Sequence, residues 1–190
     1  MIPDRLKLKS ADPKQYEFAV KLCTDIELLL EEKKEAQLLI DEWNDKISTG
    51  LIYEAHNFEH YYASISRDTF IRKALSPSPT FDNLLTYTDS LTVIDIISKA
   101  NVEEHELDYY LDMLEANFPD AKVSDLLYWP DEWFGNGVDL HVELTNEQEI
   151  YCLSSYTNRW FADQLKEMLL PPKVETALKN KIASQEKITQ

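Results

Sequence analysis

Two histidines stand four residues apart with a glutamate between them, in the run His56-Asn57-Phe58-Glu59-His60. On a helix that spacing places both imidazoles on one face, where they can share a Zn²⁺ ion. Glu59 beside them could then deprotonate a metal-bound water. The chain has two further histidines, His105 and His141, and either is a candidate third ligand; Glu132 and Glu143 are carboxylate candidates. Nucleophilic chemistry has less to stand on. No G-x-S-x-G elbow occurs, and Cys23 and Cys152 read as small core hydrophobes. Phosphate-cradling loops need more than Gly50, Gly135 and Gly137 supply. Paired acids such as Glu103-Glu104 and Asp131-Glu132 carry no information about acid–base catalysis in so acidic a chain.

The five residues from His56 to His60 resemble the H-x-x-E-H metal motif of the inverzincin proteases. That resemblance implies a further acidic ligand downstream and a sheet around the motif, and sheet-forming segments are lacking here. The pair also resembles two of the three histidine ligands of DinB-type helical bundles, which implies His105 or His141 as the third. No family resemblance runs along the whole chain.

The stronger signal is charge. The 190 residues carry a formal charge of −16, a surface that repels nucleic-acid backbones and anionic lipid and attracts basic partners. Residues 101–150 hold fourteen acids against Lys122 alone. Aromatic residues are interleaved with them, most densely in Tyr128-Trp129-Pro130-Asp131-Glu132-Trp133-Phe134. Aromatic anchors rimmed by carboxylates suit a basic protein partner. Glu104, Asp108 and Asp112 lie four apart on a helix, with Glu115 three further on. The expected binding surface is therefore Glu104, Asp108, Asp112, Glu115, Trp129, Asp131, Glu132 and Trp133. The function expected from it is a non-enzymatic protein-binding protein of inhibitor, immunity or adaptor type, with no cofactor. The alternative is a metal-binding helical protein or metal-dependent hydrolase that holds zinc through His56 and His60. Nothing in residues 1–14 serves as a signal peptide, no window suits a membrane helix, and two cysteines fit a reducing compartment; a cytoplasmic protein is expected.

Positioning these residues falls to helices. Three glycines are too few for an all-β chain. Asp12 and Pro13 open a helix with no Gly or Pro before Gly50. Its seam of Ala19, Leu22, Ile26, Leu29, Ala36, Ile40, Trp43 and Ile47 is interrupted at Lys33. The expectation is an all-α or nearly all-α protein, an irregular multi-helix bundle with one long N-terminal helix. At most a small strand pair near 138–144 accompanies it. That first helix pairs either within the chain or across a homodimer. Leu51 to Ile65 reads as a further helical face through Leu51, Ala55, Phe58 and Tyr62, with a strand as the alternative its several aromatics leave open. Ser66 caps the next helix, Ser76-Pro77-Ser78-Pro79 is the plainest loop, and Phe81–Tyr87 and Leu91–Ala100 are helical pieces. Asn101/Glu104 and Thr145/Gln148 have capping-box spacing, the second opening a helix to about Leu169. The whole reads as one domain, 1–190, with a polar, frayed tail at 173–190.

Overall fold

The computed structural model describes residues 2–135 and 143–188, the last three by their backbone alone. Ten α-helices and one 3₁₀ turn are present, and no strand occurs among the described residues. The all-α expectation holds. Residues 138–142 of the expected strand pair lie outside the described residues, and Glu143 and Leu144 form no strand. The chain divides into two compact units, one of Lys7–Ser78 with Glu103–Tyr109, the other of Met1–Leu6, Pro79–Val102 and Tyr110–Gln190. The Ser76–Pro79 loop coincides with the passage from the first to the second.

In the smaller unit, the single long helix expected from the seam is two helices, α1 (Pro13–Glu31) and α2 (Gln37–Lys46). Asp12 caps α1 as its sequence suggests, accepting from the Lys14 and Gln15 N–H groups. The break falls at Lys33, which takes a left-handed φ of 55°. The Lys34 N–H donates to the Leu29 carbonyl and the Lys33 N–H to Leu30, the paired bonds of a Schellman stop with lysine where glycine is usual. Glu31 to Glu35 offers no apolar side chain to hold a continuing helix. The chain therefore turns, and α1 packs on α2. Both halves of the seam still enter one core: Ala19, Leu22, Ile26, Ala36, Ile40, Trp43 and Ile47 are buried together, with Leu29 partly so. The seam is thus filled within the chain by its own helices.

Trp43 centres that core. Phe58 meets it edge-on at 5.3 Å, Tyr53 edge-on at 5.9 Å, and Phe70 stacks at 5.8 Å. Phe58 comes from the short helix α3 (Ala55–His60), which a 3₁₀ turn (Tyr61–Ala63) continues. Leu51 and Tyr62, expected on the same helical face, are instead exposed, because the helix starts after Leu51 and the tighter turn rotates Tyr62 outward. Ser66 caps α4 (Arg67–Leu75) by accepting from the Thr69 N–H. Gly50 does not end a helix; a Cβ there would collide with Ser78 Oγ, so its role is close approach.

The larger unit opens with turns rather than the helix expected at Phe81–Tyr87. Asp82 Oδ1 accepts from the Leu84 N–H at 2.8 Å, a local bond that competes with helix. A Thr86/Asp89 capping box then starts α5 (Tyr87–Lys99). Arg5 reaches Asp89 and lies 3.4 Å from Asp82. Burial pushes the Asp89 pKa up, but bonds from Thr86 and the Arg5 charge outweigh it, and its carboxyl stays below the usual range. Helix α6 (Glu104–Asn117) begins where the Glu106 carboxylate accepts from the Glu103 N–H, rather than at an Asn101 cap. After α7 (Val123–Tyr128) and α8 (Pro130–Phe134), the Thr145/Gln148 capping box opens α9 (Asn146–Thr157). That helix stops at Asn158, in the left-handed region at φ 55°, well before Leu169. The next residue, Arg159, donates to the carbonyls of Asn117 and Asp82 and lies over the ring of Phe81 at 4.2 Å. The tail read as frayed is α10 (Pro172–Ile188), with Val174, Ala177 and Leu178 buried.

Two substitutions check the smaller unit by chemical denaturation. Trp43→Ala should cost roughly 3–5 kcal/mol, because it empties the centre of the aromatic core. Lys33→Gly should stabilise by up to about 1 kcal/mol by relieving the left-handed lysine; an unchanged or lowered midpoint would contradict the stop described.

Candidate functional site

Helices α7 and α8 pack on each other around a single non-helical residue, Trp129. Its φ of −137° and ψ of 61° lie outside the helical region, as the following Pro130 requires. Pro130 then opens α8 without needing a donor. This corner treats its two tryptophans oppositely. Trp133 is 2% exposed; its indole N–H donates to the Ala121 carbonyl at 2.5 Å, and the Lys181 ammonium lies 4.4 Å from its ring. Trp129 is 56% exposed and Tyr128 50%, the two rings meeting edge-on at 5.7 Å. Asp131 and Glu132, both exposed, form the first turn of α8, where helix geometry favours negative charge. Of the expected aromatic contacts, Trp129 is a surface group and Trp133 belongs to the core. Tyr128 is exposed beside Trp129, and its alternation within the aromatic run gave no sign of that.

The carboxylate row of α6 is largely occupied within the chain. Lys73 of α4 lies 3.1 Å from Glu104 and 2.6 Å from Asp108. Burial lowers the Lys73 pKa, but hydrogen bonds to Asp108 and Glu104 outweigh it and leave the ammonium raised. Like charges four apart on a helix repel, and here an internal cation relieves that repulsion between Glu104 and Asp108. Glu115, half-buried, accepts from the Ser124 N–H at 3.0 Å, serving an orphan donor in the first turn of α7. Asp112 is exposed.

The histidine pair fares differently. His56 and His60 are exposed, and His56 Nδ1 lies 3.4 Å from Glu54. His60 and Glu59 line a cleft of about 470 Å³ with Glu27, Glu31, Tyr61, Tyr62 and Arg67, and His56 is not among its walls. Among the described residues, no three His, Cys, Asp or Glu side chains converge as metal ligands. Of the proposed third ligands, His105 lines a separate small pocket with Arg72 and Glu106, and His141 lies outside the described residues. The cleft residues Glu27 and Arg67 were not legible in advance, being forty positions apart with no shared motif.

Buried titratable groups elsewhere are not arranged for nucleophilic attack. Burial pushes the Cys23 thiol up to about 12 and likewise Cys152, the opposite of an activated thiolate. Burial also raises Glu149 to about 7. Its Oε2 has no hydrogen-bond partner among the described residues.

Comparison with known proteins finds no matching family model, no similar curated protein and no similar solved structure. No helix among the described residues is long and apolar enough to cross a membrane.

Glu149 yields a pH prediction. Its folded pKa of about 7 stands above the ordinary 4.5, so the native state binds more protons between those values. Stability should therefore fall as pH rises through that window, with the loss complete above about pH 7. Glu149→Gln should match the wild type near pH 4 and exceed it at pH 8 by on the order of 1–3 kcal/mol. Thermal melts at the two pH values decide it.

Proposed function

We propose that this protein is a non-enzymatic binder of a basic protein, of inhibitor, immunity or adaptor type, and that the α7–α8 corner is its contact surface. One observation carries the reading: Trp129 and Tyr128 stand exposed side by side, next to the exposed acids Asp131 and Glu132. An exposed tryptophan–tyrosine pair is an uncommon use of apolar surface, and such residues dominate binding energy where interfaces are mapped. Carboxylates at the rim steer a cationic partner and set orientation more than they add affinity. Asp112 of α6 adds negative charge in the same unit. Glu104 and Asp108, engaged by Lys73, contribute less than their row suggests, and Trp133 supports the corner from beneath instead of touching the partner.

A photo-crosslinking residue placed at position 128 should capture a protein of high isoelectric point in cells. Trp129→Ala should then weaken that complex by about 2 kcal/mol or more. Asp131→Asn with Glu132→Gln should slow association and flatten its salt dependence. Capture of acidic partners only, or full affinity in Trp129→Ala, would count against this surface.

A further inference from the structure

We infer that the cleft beside α1 and the Tyr61–Ala63 turn binds an arginine side chain presented by a partner. This site goes beyond the α7–α8 surface: every residue lining it belongs to the smaller unit.

The cleft's volume of about 470 Å³ lies within the range of small-ligand sites. Its walls include Leu30, Phe58, Tyr61 and Tyr62, enough apolar surface for an aliphatic stem. The polar groups decide the sign of the ligand. Glu27 is already engaged: it accepts from the Tyr61 hydroxyl at 2.5 Å through one oxygen and from Arg67 through the other. Arg67 Nε also reaches the Tyr61 hydroxyl at 3.3 Å. Arg67 is thereby cancelled within the cleft, and the triad fixes the Tyr61 ring. Two charges remain. Glu31 and Glu59 are exposed, and neither has an ion-pair or hydrogen-bond partner among the described residues. An anion would be repelled by both. A neutral apolar ligand would strip water from two carboxylates and return nothing. A guanidinium on a three-carbon stem meets each requirement: the stem covers Leu30 and the aromatic walls, and the planar head pairs with the free carboxylates beside the Tyr61 and Tyr62 rings. Half of the histidine motif, Glu59 and His60, thus finds a place in a site that needs no metal.

The test uses N-acetyl-arginine methylamide against its neutral isostere, the citrulline analogue, followed by amide NMR shifts of the full chain. The arginine probe should give saturable shifts at Glu31 and at Glu59 to Tyr62, with the citrulline analogue at least tenfold weaker. Glu31→Gln with Glu59→Gln should weaken the arginine probe at least tenfold while leaving the remaining spectrum folded. Asp131→Asn with Glu132→Gln should leave it unchanged, which separates this site from the surface proposed above. Equal binding of the two probes, shifts that do not saturate, or indifference to the double glutamine variant would overturn the inference.

Discussion

With 35 acidic residues against 19 basic ones, cations are scarce in this chain, and the fold places several of them against partly buried acceptors. Arg159 serves the carbonyls of Asn117 and Asp82 while lying over Phe81. Arg67 completes the Glu27–Tyr61 cluster, Arg5 reaches buried Asp89, Lys73 bridges Glu104 and Asp108, and Lys181 donates to the Trp133 carbonyl. These are not ordinary surface pairs, which contribute little. Several serve more than one acceptor at a half-buried position, so removing the cation would strand groups that folding has already desolvated. Most of the remaining acids face water, with the Glu149 Oε2 a buried exception. The net negative surface is the residue of that allocation.

The same logic separates Trp129 from Trp133. Both lie in one acidic run and are equally apolar. Trp133 has a carbonyl acceptor at Ala121 and the Lys181 ammonium near its ring, so its indole can be buried without loss. Trp129 precedes Pro130, which denies it a helical backbone, and is 56% exposed. The two buried thiols are not activated for nucleophilic chemistry. Cys23 and Cys152 are held protonated by burial, and Glu149, the acid raised nearest neutrality, has one oxygen with no partner.

Local chemistry made much of this visible in the sequence. Asp12, Ser66 and the Thr145/Gln148 pair cap the helices they precede, because a cap depends only on residues three or four positions away. The break at Lys33 was legible merely as an interruption. In a helix pair both arms feed one core, so the spacing of three and four resumes at Ala36 and imitates a continuous seam. Lysine in the left-handed stop gives no glycine signal. The end of α9 at Asn158 was hidden for a related reason, since apolar residues continue to Leu170 on irregular chain. Nor could sequence reveal that Lys73 neutralises Glu104 and Asp108, or that Glu27 meets Arg67. Such pairs are products of tertiary packing and have no spacing of their own.

The Lys73 site also shows how this chain itself recognises a cation. Two carboxylates four apart on α6 converge on one ammonium at 3.1 and 2.6 Å, and the charge survives partial burial because two acceptors outweigh the lost hydration. The cleft of the smaller unit also has two carboxylates among its lining, Glu31 and Glu59, together with aromatic walls. The α7–α8 corner has acids and rings too, with Tyr128, Trp129, Asp131 and Glu132 all exposed. Carboxylates beside an apolar wall suit a single cationic side chain with an aliphatic stem, whereas carboxylates on an open face sense the field of a whole basic surface. Under the two proposals, the cleft would take an individual side chain and the corner a whole basic surface.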